Sequence, residues 1–162
     1  MLTEFQIDAV WQDMLSAETR SLYFADLASR LTRQKQWLTG ATLFLTSGAG
    51  VGVLSKAPEW MASSMALVAA GLSAYSISAH LDTSAATLVK LHSMWQRIQS
   101  DYERLWNHTY ADEAEQELEA IRERERIASE LAATGAPYKE KLLERWQDLV
   151  IKLHYQEGRH AA

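Results

Sequence analysis

No cysteine occurs in the chain, which excludes a disulfide framework, a thiolate zinc site and a cysteine nucleophile. Proline is nearly absent as well. Among 162 residues only Pro58 and Pro137 are found, so the strongest helix breaker is missing from every other position. Charge is missing from two long stretches: no Asp, Glu, Lys or Arg stands between Lys35 and Lys56, or between Glu59 and Asp82. Glycine clusters at 48, 50 and 52 without forming a nucleotide loop. A dinucleotide fingerprint would need glycine where Val53 stands, and a phosphate loop would need Gly-Lys-Ser/Thr where the chain reads Ser55-Lys56-Ala57. The opening residues, MLTEFQIDAVWQDM, lack the basic and apolar regions of a signal peptide.

What is present is organised around the two uncharged runs, 36–55 and 60–81. Each is about as long as the roughly 20 residues that a helix needs to cross a bilayer. Trp37 and Trp60 stand near their ends, where an indole favours the headgroup zone. These features predict a helical hairpin that crosses a membrane twice. The competing reading is a hairpin buried in a soluble helical bundle, because Gly, Ala, Ser and Thr dilute both runs. Arg30, Arg33 and Lys35 precede the first run and Lys90 and Arg97 follow the second, which predicts that both termini are cytoplasmic.

The rest of the chain reads as helix, so the fold class expected is all-α. Val10, Met14, Ala17, Ser21, Phe24, Ala28 and Leu31 repeat at helical spacing, and nothing breaks the helix before Trp37. After the second run, Leu88, Leu91, Trp95, Ile98, Tyr102 and Leu105 alternate steps of three and four. That is a heptad seam, and its expected partner is the N-terminal helix, giving an antiparallel cytoplasmic stalk. Asn107-His108-Thr109 interrupts the pattern, and Asp112 with Glu115 predicts a capped start for the next helix. Its acidic character, from Asp112 to Glu125, accounts for much of the net charge of -5. Gly135 and Pro137 end it. A last helix carries Leu142, Leu143, Trp146, Leu149, Val150 and Leu153 on one face, and 154–162 reads as a fraying tail. The domain division expected is a hairpin domain over 1–110 and a C-terminal helical extension over 111–162.

The chemistry legible in this pattern is sparse. Gly48 with Gly52, and Ala66, Ala70, Ala74 and Ser78, are spaced as small-residue packing stripes for helix pairing within a homo-oligomer. Arg30, Arg33 and Lys90 would bring three cations to a similar depth beside the hairpin. Such a cluster suits a phosphate or nucleotide, although anionic headgroups would satisfy the same charges. His80 with Asp82, and Glu157 with His160, are too few ligands for a metal site. No catalytic residues, metal or cofactor are assigned, an enzyme is not expected, and neither DNA nor RNA is an expected partner.

Arg20, Tyr23, Ala28 and Arg30 before a span opened by Trp37, then Pro58-Glu59-Trp60, a Ser/Ala-rich second span and a helix with Trp95 and Tyr102, make a combination that resembles the SLATT domain. The resemblance covers roughly 11–106. It implies a two-transmembrane effector of bacterial anti-phage defence located in the bacterial inner membrane, a pore-forming or membrane-disrupting oligomer that meets membrane lipids and answers a cyclic nucleotide signal or a nucleotide-sensing partner. The alternative is a non-enzymatic membrane scaffold whose cytoplasmic helices bind a protein partner.

Overall fold

A computed structural model describes residues 2–46, 59–78 and 81–160. Among them it contains five α-helices and no strand: α1 (Glu4–Thr46), α2 (Glu59–Ser78), α3 (Leu81–Trp106), α4 (Ala114–Gly135) and α5 (Glu140–His160). They form two compact units, one from Met1–Leu27 with Ala86–Ala162, the other from Ala28–Ala85.

Helix α1 opens on a reciprocal cap. The Thr3 hydroxyl accepts the Gln6 N–H at 3.3 Å, while the Gln6 side-chain oxygen accepts the Thr3 N–H at 2.8 Å. Two of the donors that a helix start leaves without partners are thereby satisfied. With no proline to stop it, α1 then continues unbroken to Thr46, as its sequence predicts.

In the first unit, the N-terminal part of α1 runs antiparallel to α3. The Leu2 N–H donates to the Thr109 carbonyl at 3.2 Å, Trp11 lies 5.2 Å from Trp106, and His92 Nδ1 sits 3.0 Å from the Ser21 carbonyl. The heptad seam of α3 is buried from Leu88 to Leu105, and it shares the core with Val10, Met14, Ala17 and Phe24 of α1. Helix α4 adds Leu118, Ile121 and Ala128, whereas α5 adds Val150 as its fully buried side chain. Polar contacts also attach α5 to α1. Trp146 Nε1 donates to Asp26 at 3.3 Å and His154 Nε2 pairs with Glu18 at 2.8 Å. His154 is therefore an anchored residue of α5 rather than the start of a frayed tail.

The second unit holds the end of α1 and all of α2. Among the described residues, no helix is long and apolar enough to cross a membrane. This overturns the two-transmembrane hairpin over 36–55 and 60–81, and with it the inner-membrane location. The physical reason lies in dilution. Arg30, Arg33 and Lys35 belong to the same helix as the first run, and α2 starts on Glu59 and mixes Leu67, Val68 and Leu72 with Ser63, Ser64, Gly71, Ser73 and Ser76. Hydroxyls and glycine contribute little to transfer into hydrocarbon. Residues 47–58, 79 and 80 of the expected hairpin lie outside the described residues.

The start of α4 also differs from expectation. It begins at Ala114, preceded by Glu113, with no side-chain capping bond. Asp112 is not its cap. The other end follows the sequence, with the Ala136 N–H closing on the Ala132 carbonyl at 3.1 Å before Pro137.

Candidate functional site

The second unit leaves large apolar side chains in the open. Trp37 is 81% exposed and Phe44 62% on α1, Leu67 is 75% exposed on α2, and Leu43, Val68 and Tyr75 are more than half exposed. Their helices carry no charge from Gln36 to Thr46 or from Trp60 to Ser78. Helical spacing produces one defined feature within this surface. Arg33, Gln36, Trp37, Gly40, Ala41 and Phe44 share one face of α1 and line an open groove of about 520 Å³. A Cβ placed at Gly40 would meet nothing within 4 Å among the described residues, so Gly40 leaves a gap between Trp37 and Phe44 on this face.

Polar chemistry gathers instead in the first unit. Arg20 of α1 donates to Glu125 and Ser129 of α4, both at 3.4 Å, and its guanidinium lies 4.5 Å from the centre of the Trp95 ring. The buried Tyr102 hydroxyl donates to the other Glu125 oxygen at 2.9 Å. Removal from water, reinforced by Glu125, pushes the Tyr102 phenol far up from its ordinary value. Asp13 is raised too, first by burial and then by Glu125, with Arg122 and Arg20 pulling the other way. Beside these, Tyr23 donates to the Pro137 carbonyl at 2.8 Å and accepts the Lys139 N–H at 2.9 Å. The α4–α5 connection is thus pinned to α1. A smaller groove of about 290 Å³ lies between α1 and α5, with Leu15, Thr19, Arg20, Leu143 and Ile151 in its lining.

Each of these polar groups already has a structural employment: the network ties α1, α3 and α4 together. The open groove of the second unit is lined by largely exposed apolar side chains, and it is the better candidate for a site.

The residues picked out from sequence are distributed as follows. Arg30 and Arg33 are exposed on α1 in the second unit, and Lys90 is exposed on α3 in the first. Ala70 and Ala74 are exposed on α2, where the neighbouring Ala69 is buried. Gly48, Gly52, His80 and the side chains of Ala66, Ser78, Asp82, Glu157 and His160 lie outside what is described. Among the described residues no group of three or more side chains is arranged to hold a metal ion.

Sequence reasoning missed both the Tyr23 pin and the Glu125 network. Asp13 and Arg20, two turns apart on the face of α1 that also carries Ala17 and Phe24, are the available signal for the network. For the groove, the signal is the spacing of Trp37, Gly40 and Phe44 on one helix face.

No family model, curated protein or solved structure matches the chain. The SLATT resemblance therefore has no support from similarity, and the two spans on which it rested are not found among the described residues. The membrane effector, its pore, its role in anti-phage defence and the alternative membrane scaffold are withdrawn with them. So are membrane lipids as partners. The homo-oligomer of packed hairpins and the cyclic nucleotide trigger were tied to the same hairpin and lose their basis.

Proposed function

We propose that the chain is a helical protein-binding module that acts by docking another protein, without catalysis. The observation that carries this reading is the exposure of Trp37, Leu43, Phe44, Leu67, Val68 and Tyr75 on one unit, in contrast to the buried seam of the other. Exposed apolar side chains gathered on uncharged helices mark interaction surfaces. Complete burial of each such side chain is worth roughly 1.5–3 kcal/mol. Several of them covered together work against the roughly 4–15 kcal/mol that association costs in lost freedom of motion.

In-cell photo-crosslinking tests this directly. A benzophenone amino acid at Leu43 or Leu67 should trap the same protein from both positions, while one at Glu119, on the charged surface of α4, should trap none. Adducts confined to lipid or to a second copy of the chain, or no adducts at all, would contradict the reading.

A further inference from the structure

The groove on α1 defines its occupant more closely, on the basis of the protein-binding function just proposed. Among the described residues its walls include the indole of Trp37 and the ring of Phe44, both largely exposed. Gly40 leaves a gap between them. At one end stands Arg33, an exposed cation for which the structure holds no hydrogen-bond or ion-pair partner among the described residues. From Arg33 to Phe44 the helix advances about 16 Å at 1.5 Å per residue, the length of three turns of a second helix. The groove is open along its side rather than enclosed, which suits a segment of polypeptide better than a small molecule that must be surrounded.

We infer that this groove seats an amphipathic helix of the partner, with apolar side chains one turn apart entering on either side of Gly40 and an acidic group at one end meeting Arg33. Recognition of this kind places residues at i, i+3, i+4 and i+7 in an apolar groove. The acidic end follows from charge complementarity. An anion brought to an unpaired guanidinium forms a charge-assisted bond, whereas a cation there would be repelled. Aromatic walls fit the apolar anchors, because Trp and Phe offer large contact area at small cost in side-chain freedom.

The test uses the full chain and two synthetic peptides of about four helical turns, with the same leucine face and ending in either two Glu or two Lys. Binding is read by fluorescence anisotropy. The Glu-ended peptide should bind about tenfold more tightly than the Lys-ended one, the worth of one charged hydrogen bond. Arg33→Glu should reverse that preference. Gly40→Leu should abolish binding of both peptides with the helical circular dichroism unchanged, since leucine favours a helix more than glycine does. Failure of both peptides to bind the parent, or a preference that survives Arg33→Glu, would overturn the inference. If either failure accompanied intact crosslinks from Leu43 and Leu67, the acidic helix would be rejected while the docking function stood.

Discussion

The Arg20 guanidinium lies 4.5 Å from the centre of the Trp95 ring and 3.4 Å from the Glu125 carboxylate, so one cation joins three helices. Arg20 is partly exposed, which weakens its Coulomb attraction, yet its stacking on a buried indole is shielded from water. Arg20→Ala should destabilise the fold by about 1–3 kcal/mol, combining a cation–π contact with a charged hydrogen bond. Arg20→Lys should recover only part of that, because an ammonium cannot stack flat while forking toward Glu125 and Ser129. Urea titration with an unchanged slope would measure both. Equal stability of the alanine variant and the parent would remove Arg20 from the account of the core.

Asp13 gives a prediction in pH. Burial and the nearby Glu125 raise its carboxyl above the ordinary 3.8, so the folded state holds that proton more tightly than the unfolded chain. Its contribution to stability is fully present below 3.8 and is lost as pH rises through the raised value. At neutral pH the ionised group is a net cost. Asp13→Asn should therefore melt at a higher temperature than the parent at pH 7, and the difference should shrink as pH falls toward 3.8. An advantage that grows on acidification would contradict the assignment.

Gly135 is required by a close approach. A methyl group added there would come within 2.9 Å of the Thr87 methyl carbon, and Thr side chains have few rotamers with which to yield. Gly135→Ala should cost about 1–3 kcal/mol, the range for overpacking. Combining it with Thr87→Ser, which deletes that methyl, should restore stability beyond the sum of the single changes. Strict additivity in the double-mutant cycle would show that the two sites do not meet.

Much of the helical architecture was legible in the residues. The step of three and four from Leu88 to Leu105 corresponds to a buried seam, and the stripe from Val10 to Phe24 faces the same core. Helical periodicity reports which side chains leave water, and it is strong when polar residues fill the other faces. It carries no such information in an uncharged run like Trp60 to Ser78, where every face looks alike. There, length alone suggests a membrane span, while serine and glycine dilution argues against crossing. Contacts distant in sequence were also hidden. Nothing local to Tyr23 indicates that its hydroxyl will hold the backbone at Pro137 and Lys139. The candidate groove is half legible in the sequence, since Trp37 stands out as a large apolar side chain and Arg33 as a cation beside an uncharged run, while the face they share with Gly40 and Phe44 carries no contrast of its own.

The central claim, that the second unit exists to dock a protein, is tested most directly by removing its apolar surface without touching its fold. Leu43, Phe44 and Leu67 are each more than 60% exposed, so their replacement by Gln should leave helical content unchanged and shift the melting temperature by no more than a few degrees. The measurement is the yield of the partner adduct from a photo-crosslinker at Tyr75 in the parent and in the triple variant. The account predicts a fall of at least about tenfold, equivalent to 1.4 kcal/mol of lost docking energy. An undiminished adduct from a folded triple variant would contradict it.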